Sequence, residues 1–233
     1  MLLHPMTTLF LIRHGLTAQT GKTLYGRTPG LSLDHRGRMQ SELLVERLAP
    51  VKLTAIYSSP LERCMQTVEP LAAAQRLTVI QRPGLIEMDA GSWTGKPLTR
   101  LRRTKRWSEV QNTPSTFRFP GGESFAEALE RVAADVDAIA RRHRRGRVAV
   151  ATHGDIVRIL LAHLEGAPLD RFQRTVVDTA SVSVVSMDGR GGVHVLLVND
   201  TGGLERFGPD GAAQPWEAAT RTSESRGQGN LRG

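Results

Sequence analysis

Thr8-Leu-Phe-Leu-Ile-Arg13-His14-Gly15 and Val148-Ala-Val-Ala-Thr152-His153-Gly154 are short apolar runs that each close on a His-Gly pair. Continuous apolar runs of this length read as strands buried on both faces, the pattern of a parallel sheet. The second run leads straight into helical sequence from Asp155. In an open α/β sheet the ligand crevice lies outside the carboxyl ends of the strands, so two parallel strands of one sheet deliver both imidazoles to the same place. A third run, Ala55-Ile-Tyr57-Ser-Ser59, precedes a helix with Arg63 in its first turn. Arg13 and Arg63 thus join His14 and His153 at one edge. Two guanidiniums and two imidazoles make a site for an anion, most simply a phosphate.

The remainder of the chain suits one ordinary domain. Its 233 residues can bury a continuous α/β core, and 39% hydrophobic with 23% charged residues is the balance of a globular protein. No apolar stretch approaches the roughly 18 residues of a membrane span. Met1-Leu-Leu-His-Pro-Met6 lacks the charged and apolar regions of a signal peptide, with Met6 a candidate start. The single Cys64 allows no intrachain disulfide, so a cytoplasmic location is expected. Cys64 lies in the apolar row Leu61, Cys64, Met65, Val68, which places it in the core as an inert thiol. The net charge of +8 comes mainly from Arg100-Leu-Arg-Arg-Thr-Lys-Arg106 and Arg141-Arg-His-Arg-Arg-Gly-Arg147. Arginine-rich solvated helix faces account for it best, and a field steering an anionic substrate comes next. Nucleic-acid binding ranks last, because aromatics are only 5% and no recognition motif accompanies the charge.

Strand and helix signals alternate, which argues for crossover units, a mostly parallel central sheet and a three-layer α/β/α sandwich. The Gly-containing stretch 15–33 reads as a loop, followed by a helix over 34–49 with Met39, Leu43, Leu44 and Leu48 inward. A strand at 55–58 leads to a helix over 60–74 with Pro60 as its first residue. A strand over 77–81 feeds the loop 83–95. The basic segment 96–120 reads as irregular, with a short helix at most, and as a cap over the crevice. Ser124-Phe-Ala-Glu127 is a capping-box pattern, opening a helix with Phe125, Leu129, Val132, Val136 and Ile139 on one face. Runs at 180–187 and 193–198, joined by Asp188-Gly-Arg-Gly-Gly192, read as a hairpin. The domain is expected to end near 204, and 205–233 reads as a disordered tail.

His14 alone would read as a structural hydrogen-bonding residue; its neighbours make it a nucleophile. A neutral imidazole attacks phosphorus when a backbone group fixes its tautomer and cations neutralise the phosphoryl oxygens. Gly15 would let the backbone approach the anion, and the forks of Arg13 and Arg63 match phosphate geometry. His153 precedes a helix whose first amides favour anions. Zinc held by His14, His153 and Asp155 is the rival reading, but there is no His-x-x-x-His, no Cys cluster and no further clear ligand, so no metal is expected. An acid for the leaving oxygen should come from Glu87-Met-Asp89-Ala-Gly91-Ser-Trp93-Thr-Gly95. Glu87 lies nearest the strand end, and Asp89 is the alternative. Burial beside Trp93 would keep such a carboxyl protonated.

Leu11-Ile-Arg13-His14-Gly15-Leu-Thr17 resembles the signature of the histidine phosphatase (phosphoglycerate-mutase-like) superfamily. Four further blocks agree in order: Ser58-Ser-Pro-Leu-Glu-Arg63-Cys-Met-Gln-Thr67, Glu87-x-x-x-Gly91-x-Trp93-x-Gly95, Phe119-Pro-Gly-Gly-Glu123-Ser124 and Thr152-His153-Gly154-Asp155. The likeness spans about residues 7–200. Gly26-Arg-Thr-Pro-Gly30, Phe172-Gln-Arg-Thr-Val-Val-Asp178 and Asn199-Asp-Thr-Gly202 are similar to an actinobacterial subgroup that carries a phosphomutase label. The resemblance implies that His14 is phosphorylated and then hydrolysed, that Arg13, Arg63 and His153 bind the phosphoryl group, and that Glu87 donates the proton. Thr20, Gly26 and Gly154 complete the substrate-binding set it implies, with neither metal nor organic cofactor. Two positions depart from the pattern. Leu16 stands where relatives often carry an acidic or amide residue, and Thr20 replaces a common Asn, which weakens or removes one phosphate hydrogen bond.

Dedicated mutases of the family carry a longer insertion that shields phosphohistidine. Here the segment between Glu87 and Phe119 is compact, and Asp155 rather than Asn follows His153-Gly154. The resemblance therefore implies a phosphomonoester phosphatase acting on a small phosphorylated metabolite, with a phosphomutase as the alternative. A non-catalytic phosphate-ligand binder is the reading from another class, and the complete set of nucleophile, arginines, second His and acid argues against it. Neither nucleic acid nor a membrane is expected as a partner; a homodimer stays open. The substrate itself is not legible in 16–33 or 96–120.

Overall fold

In the computed structural model, which describes residues 6–188, 191–204 and 207, the first apolar run forms β1 (Thr7–Arg13). Its side chains alternate between two cores: Leu9 and Leu11 enter one, Phe10 and Ile12 the other. The chain continues through β2 (Thr23–Leu24), α1 (His35–Leu48), β3 (Ala55–Ser58), α2 (Glu62–Gln75), β4 (Val79–Gln81), β5 (Lys96–Pro97), α3 (Leu98–Leu101) and α4 (Lys105–Asn112). It closes with α5 (Phe125–Arg142), β6 (Arg147–Thr152), α6 (Gly154–Leu164), β7 (Val182–Met187) and β8 (Val193–Asp200).

Six strands form one sheet in the order β4-β3-β6-β1-β7-β8, while β2 and β5 pair separately. β4, β3, β6 and β1 are parallel, and only β7 is reversed, pairing antiparallel with β1 and β8. Leu44 and Leu48 of α1 and Val68 and Leu71 of α2 pack on one face; Val132 and Val136 of α5 and Ile156 and Leu160 of α6 pack on the other. This is the expected α/β/α sandwich with a mostly parallel sheet. β1 and β6 are direct neighbours, with Arg13 opposite Thr152, so the residues that follow, His14 and His153, leave the sheet side by side.

Four details differ from the sequence expectations. Met39 and Leu43 of α1 are 55% and 51% exposed, and the helix packs through Gly37, Ser41, Leu44 and Leu48. Small residues win that face because the backbone must come close: a Cβ on Gly37 would overlap the Leu16 carbonyl, and Ser41 Oγ donates to the Gln66 and Thr67 carbonyls at 3.0 and 2.8 Å. Pro60 lies before α2 rather than in it, since Leu61 is extended and forms the cap. β4 begins at Val79, not 77, because left-handed Arg76 and Leu77, whose N–H binds the Ala72 carbonyl, are used in ending α2. The 96–120 segment is more regular than expected, holding β5, α3 and α4, with Thr104 capping α4 at the Trp107 N–H. The complete Ser124–Glu127 capping box of α5 and the β7–β8 hairpin are as expected. The expected tail at 205–233 and the opening residues 1–5 lie outside the described residues, Phe207 apart, whose ring meets Phe10 edge-on.

Candidate active site

The carboxyl ends of β1, β3 and β6 and the loop after β4 build one site. The His14 N–H is fixed by the Thr152 carbonyl at 2.9 Å, and the His14 and His153 ring centroids are 5.3 Å apart. His14 Nδ1 lies 2.7 Å from the Gly15 carbonyl. A carbonyl only accepts, so Nδ1 carries the proton and Nε2 keeps its lone pair. Burial, with Arg63 and Arg13 adding their positive charge, pushes the imidazole pKa down to about 3. His14 is a neutral base at any ordinary pH.

Arg63 is wholly buried in the first turn of α2, its Nη2 donating to the Gly26 carbonyl at 2.8 Å. Nη2 is also 3.2 Å from His153 Nδ1; guanidinium only donates, so Nδ1 accepts and Nε2–H is directed at Ser59 Oγ, 2.8 Å away. Burial, then Arg63, lowers the His153 pKa well below its ordinary value. Cys64 is core, as expected, but it also touches the site: its Sγ lies 3.5 Å from His153 Nε2, and burial pushes the thiol up to about 12. Arg13 Nη1 donates to the Val177 carbonyl. Arg13 Nε and Arg63 Nε and Nη1 are buried without a hydrogen-bond partner among the described residues. Buried guanidinium N–H groups left unpaired are costly unless an acceptor arrives.

Glu87 projects from the loop after β4, its side chain 15% exposed and its Oε2 3.7 Å from His153 Nδ1. Burial, reinforced by the negative charge of Asp155 and opposed by Arg63 and Arg13, raises its carboxyl to about 7. Asp89, the alternative acid, is 44% exposed, faces Arg27 at 3.8 Å and caps the Gly91 N–H. Trp93, expected beside the acid, has its ring contacts with Trp107, Phe117 and Phe119.

A cavity of about 690 Å³ opens over these groups, with Arg13, His14, Glu87, Gly154, Asp155 and Arg158 at its charged end. Leu24, Met88, Leu98, Trp107, Val110, Phe119 and Phe172 supply apolar wall, so the 96–120 segment does cap the crevice. Gly26 is on the wall. Arg63 and His153 are beneath it rather than on it, with the Tyr25 ring 4.8 Å over the Arg63 guanidinium. Gly154 begins α6 where a Cβ would come within 3.1 Å of Arg13 Nε. Two expected roles change. The Gly15 N–H is taken by Thr67 Oγ1 at 2.9 Å, and Gly15 is needed because a Cβ would sit 2.8 Å from the Gly37 carbonyl. Thr20 is off the cavity wall, its Oγ1 accepting from the Thr17 N–H.

Sequence reasoning missed Tyr25, Arg131 and the Asp155–Arg158 pair at 3.0 Å, and met Arg27 and Ser59 only within quoted blocks, with no role. Glu123 appeared only as part of a block. Its carboxylate binds Arg131 through two contacts of 2.7 and 3.0 Å and Arg27 at 3.1 Å. Arg131 falls at an intermediate position of α5 and carries no local signal.

An imidazole held neutral among guanidiniums at the carboxyl edge of a parallel sheet, with a buried protonatable carboxyl beside it, is the equipment of a phosphatase. The chain belongs to the histidine phosphatase superfamily, branch 1, whose model matches residues 9–201. Phosphoserine phosphatase 1 of Hydrogenobacter thermophilus is 34% identical over 210 residues, spanning 87% of this chain and 96% of that protein. Bacillus stearothermophilus YhfR superposes with a TM-score of 0.78 at 28% identity, covering 84% of this chain and 98% of its own. The mycobacterial glucosyl-3-phosphoglycerate phosphatase Rv2419c shares the fold with a TM-score of 0.73 at 22% identity, covering 84% and 100%.

Proposed function

We propose that the protein hydrolyses phosphomonoesters of small metabolites through a phosphohistidine on His14. The reading is carried by one observation: Nε2 of His14 is free of hydrogen-bond partners among the described residues, next to buried guanidinium N–H groups that lack acceptors. The Nε2 lone pair attacks phosphorus, forming the N–P bond as the bond to the ester oxygen breaks. Arg13 and Arg63 neutralise the phosphoryl oxygens, which accept their unpaired N–H groups, and neutral His153 binds beside them as a hydrogen-bonding group. Glu87 gives its proton to the departing alkoxide. Water then attacks phosphorus, Glu87 takes the proton back, and inorganic phosphate leaves His14 regenerated. Gly26 and Gly154 flank the phosphoryl group, and Thr20 acts only through Thr17 on the loop after β1.

The location proposed is cytoplasmic, in keeping with the single cysteine; no helix among the described residues is long and apolar enough to cross a membrane. A small phosphorylated metabolite is the expected partner. The test is a rapid acid-free quench of enzyme mixed with p-nitrophenyl phosphate in EDTA, followed by mass spectrometry. Phosphate is expected on His14, and His14→Ala should lose turnover at unchanged circular dichroism. Turnover retained by that variant, or phosphate on Ser58 or Ser59, would overturn the mechanism.

A further inference from the structure

We propose that Glu123 is a positioning residue for Glu87, holding together the Arg27 and Arg131 guanidiniums that grip the Glu87 main chain. The Glu87 carbonyl accepts from Arg27 Nε at 2.8 Å and from Arg131 Nη2 at 3.1 Å. Arg131 Nη1 also ties down the Gly84 carbonyl at 2.8 Å, three residues earlier in the same loop. Both guanidiniums converge on one carboxylate, which Glu123 presents with only 12% of its side chain exposed. The main chain of Glu123 is joined to the same loop, its N–H donating to the Asp89 carbonyl at 2.9 Å.

Two like-charged guanidiniums gripping one carbonyl would repel each other, and Glu123 removes that repulsion while orienting both forks. It does a second thing of the same sign. The charged groups around the Glu87 carboxyl are Arg13 from β1, Arg63 from α2, Asp155 from α6 and the neutral His14 and His153, with Arg27 and Arg131 at its backbone. Without the Glu123 charge, Arg131 would lose its carboxylate partner and Arg27 would keep only Asp89 at 3.8 Å, and the added positive charge beside the loop would favour ionised Glu87 and deprive the reaction of its proton. The inference rests on the reading of Glu87 as general acid, but the grip on its main chain can be tested apart from turnover.

The experiment uses the full chain with carboxyl-labelled glutamate, the Glu87 resonance being assigned by Glu87→Gln. In Glu123→Gln the Glu87 titration midpoint should fall by about one pH unit or more. In parallel, hydrolysis of an alkyl ester, glycerol 1-phosphate, should slow about tenfold or more, with p-nitrophenyl phosphate and His14 labelling changed by less than about threefold. Arg27→Lys, at a partly exposed position that keeps its charge but loses the fork, guards against misfolding and should show the same kinetic asymmetry. An unmoved Glu87 midpoint, or equal slowing of both esters in both variants, overturns the proposal. If Glu87→Gln itself shows no asymmetry while the midpoint moves in Glu123→Gln, the positioning stands and the general-acid assignment falls.

Discussion

At His14 the two ring nitrogens have different partners, and that difference decides the chemistry. Nδ1–H is held by the Gly15 carbonyl, which leaves Nε2 as the only reactive lone pair. In the proposed mechanism Glu87 supplies the complementary half, a carboxyl raised to about 7 by burial and the Asp155 charge. A general acid works only while protonated, so alkyl phosphate hydrolysis should decline about tenfold per pH unit above pH 7, while p-nitrophenyl phosphate, whose leaving group scarcely needs a proton, declines less. Glu87→Gln should slow alkyl esters by about 100-fold or more and abolish that pH dependence; Asp89→Asn should leave it intact. Steady-state rates on both esters from pH 5 to 9 check this, and a leaving-group effect that follows Asp89 would reverse the assignment. The sequence put both carboxylates in one loop. The structure separates them by surroundings: Glu87, 15% exposed, meets His153 at 3.7 Å, while Asp89, 44% exposed, faces Arg27 and caps Gly91.

Among the elements, α1 carries the lesson about packing. Leu44 and Leu48 pack inward as expected, but Met39 and Leu43 do not, and Gly37 and Ser41 instead meet the loop after β1 and the second turn of α2. The contact runs from Gly37 to Leu16, two residues beyond His14. Gly37→Ala should therefore cost about 1–3 kcal/mol of stability, because the displaced neighbour is backbone and cannot rotate away. The same displacement should lower kcat, since small errors in aligning a nucleophile are expensive in rate. Urea denaturation and kcat on p-nitrophenyl phosphate measure both, and a variant with the wild-type midpoint would show that the approach is looser than described. The cap was harder to foresee: α3 and α4 are too short to show periodicity, and burial of Leu101 and Val110 against the core, with the Thr104 cap, keeps them helical.

Across the whole molecule, assembling the site costs stability in acid. His14 and His153 are buried beside guanidiniums and both have lowered pKa values, His14 to about 3. The unfolded chain binds protons at these histidines from pH 6.5 downward while the folded chain does not. Their neutral burial is thus harmless above pH 6.5 and increasingly destabilising below it, by about 1.4 kcal/mol per pH unit for each imidazole. For His14 the loss continues to about pH 3. Melting temperatures from pH 7 to 4 should fall more steeply for the wild type than for His14→Gln, which has no proton to gain. Parallel curves would mean that the imidazole titrates normally in the folded protein.

What the sequence determined by itself was the architecture and the meeting of the main site residues. Apolar runs ending on His-Gly, an Arg in the first turn after a strand and a carboxylate loop are local, periodic signals, and parallel strands carry their ends to one edge. What the tertiary structure alone decided was which groups face one another once there. The use of Gly37 and Ser41 on the inward face of α1, the 3.7 Å approach of Glu87 to His153, the diversion of the Gly15 N–H to Thr67 and the Arg27–Glu123–Arg131 hub all depend on contacts between distant residues. The span from Arg27 to Glu123 is 96 positions. Such contacts leave no periodicity in the chain, because their energy comes from burial and charge that exist only after the layers have closed.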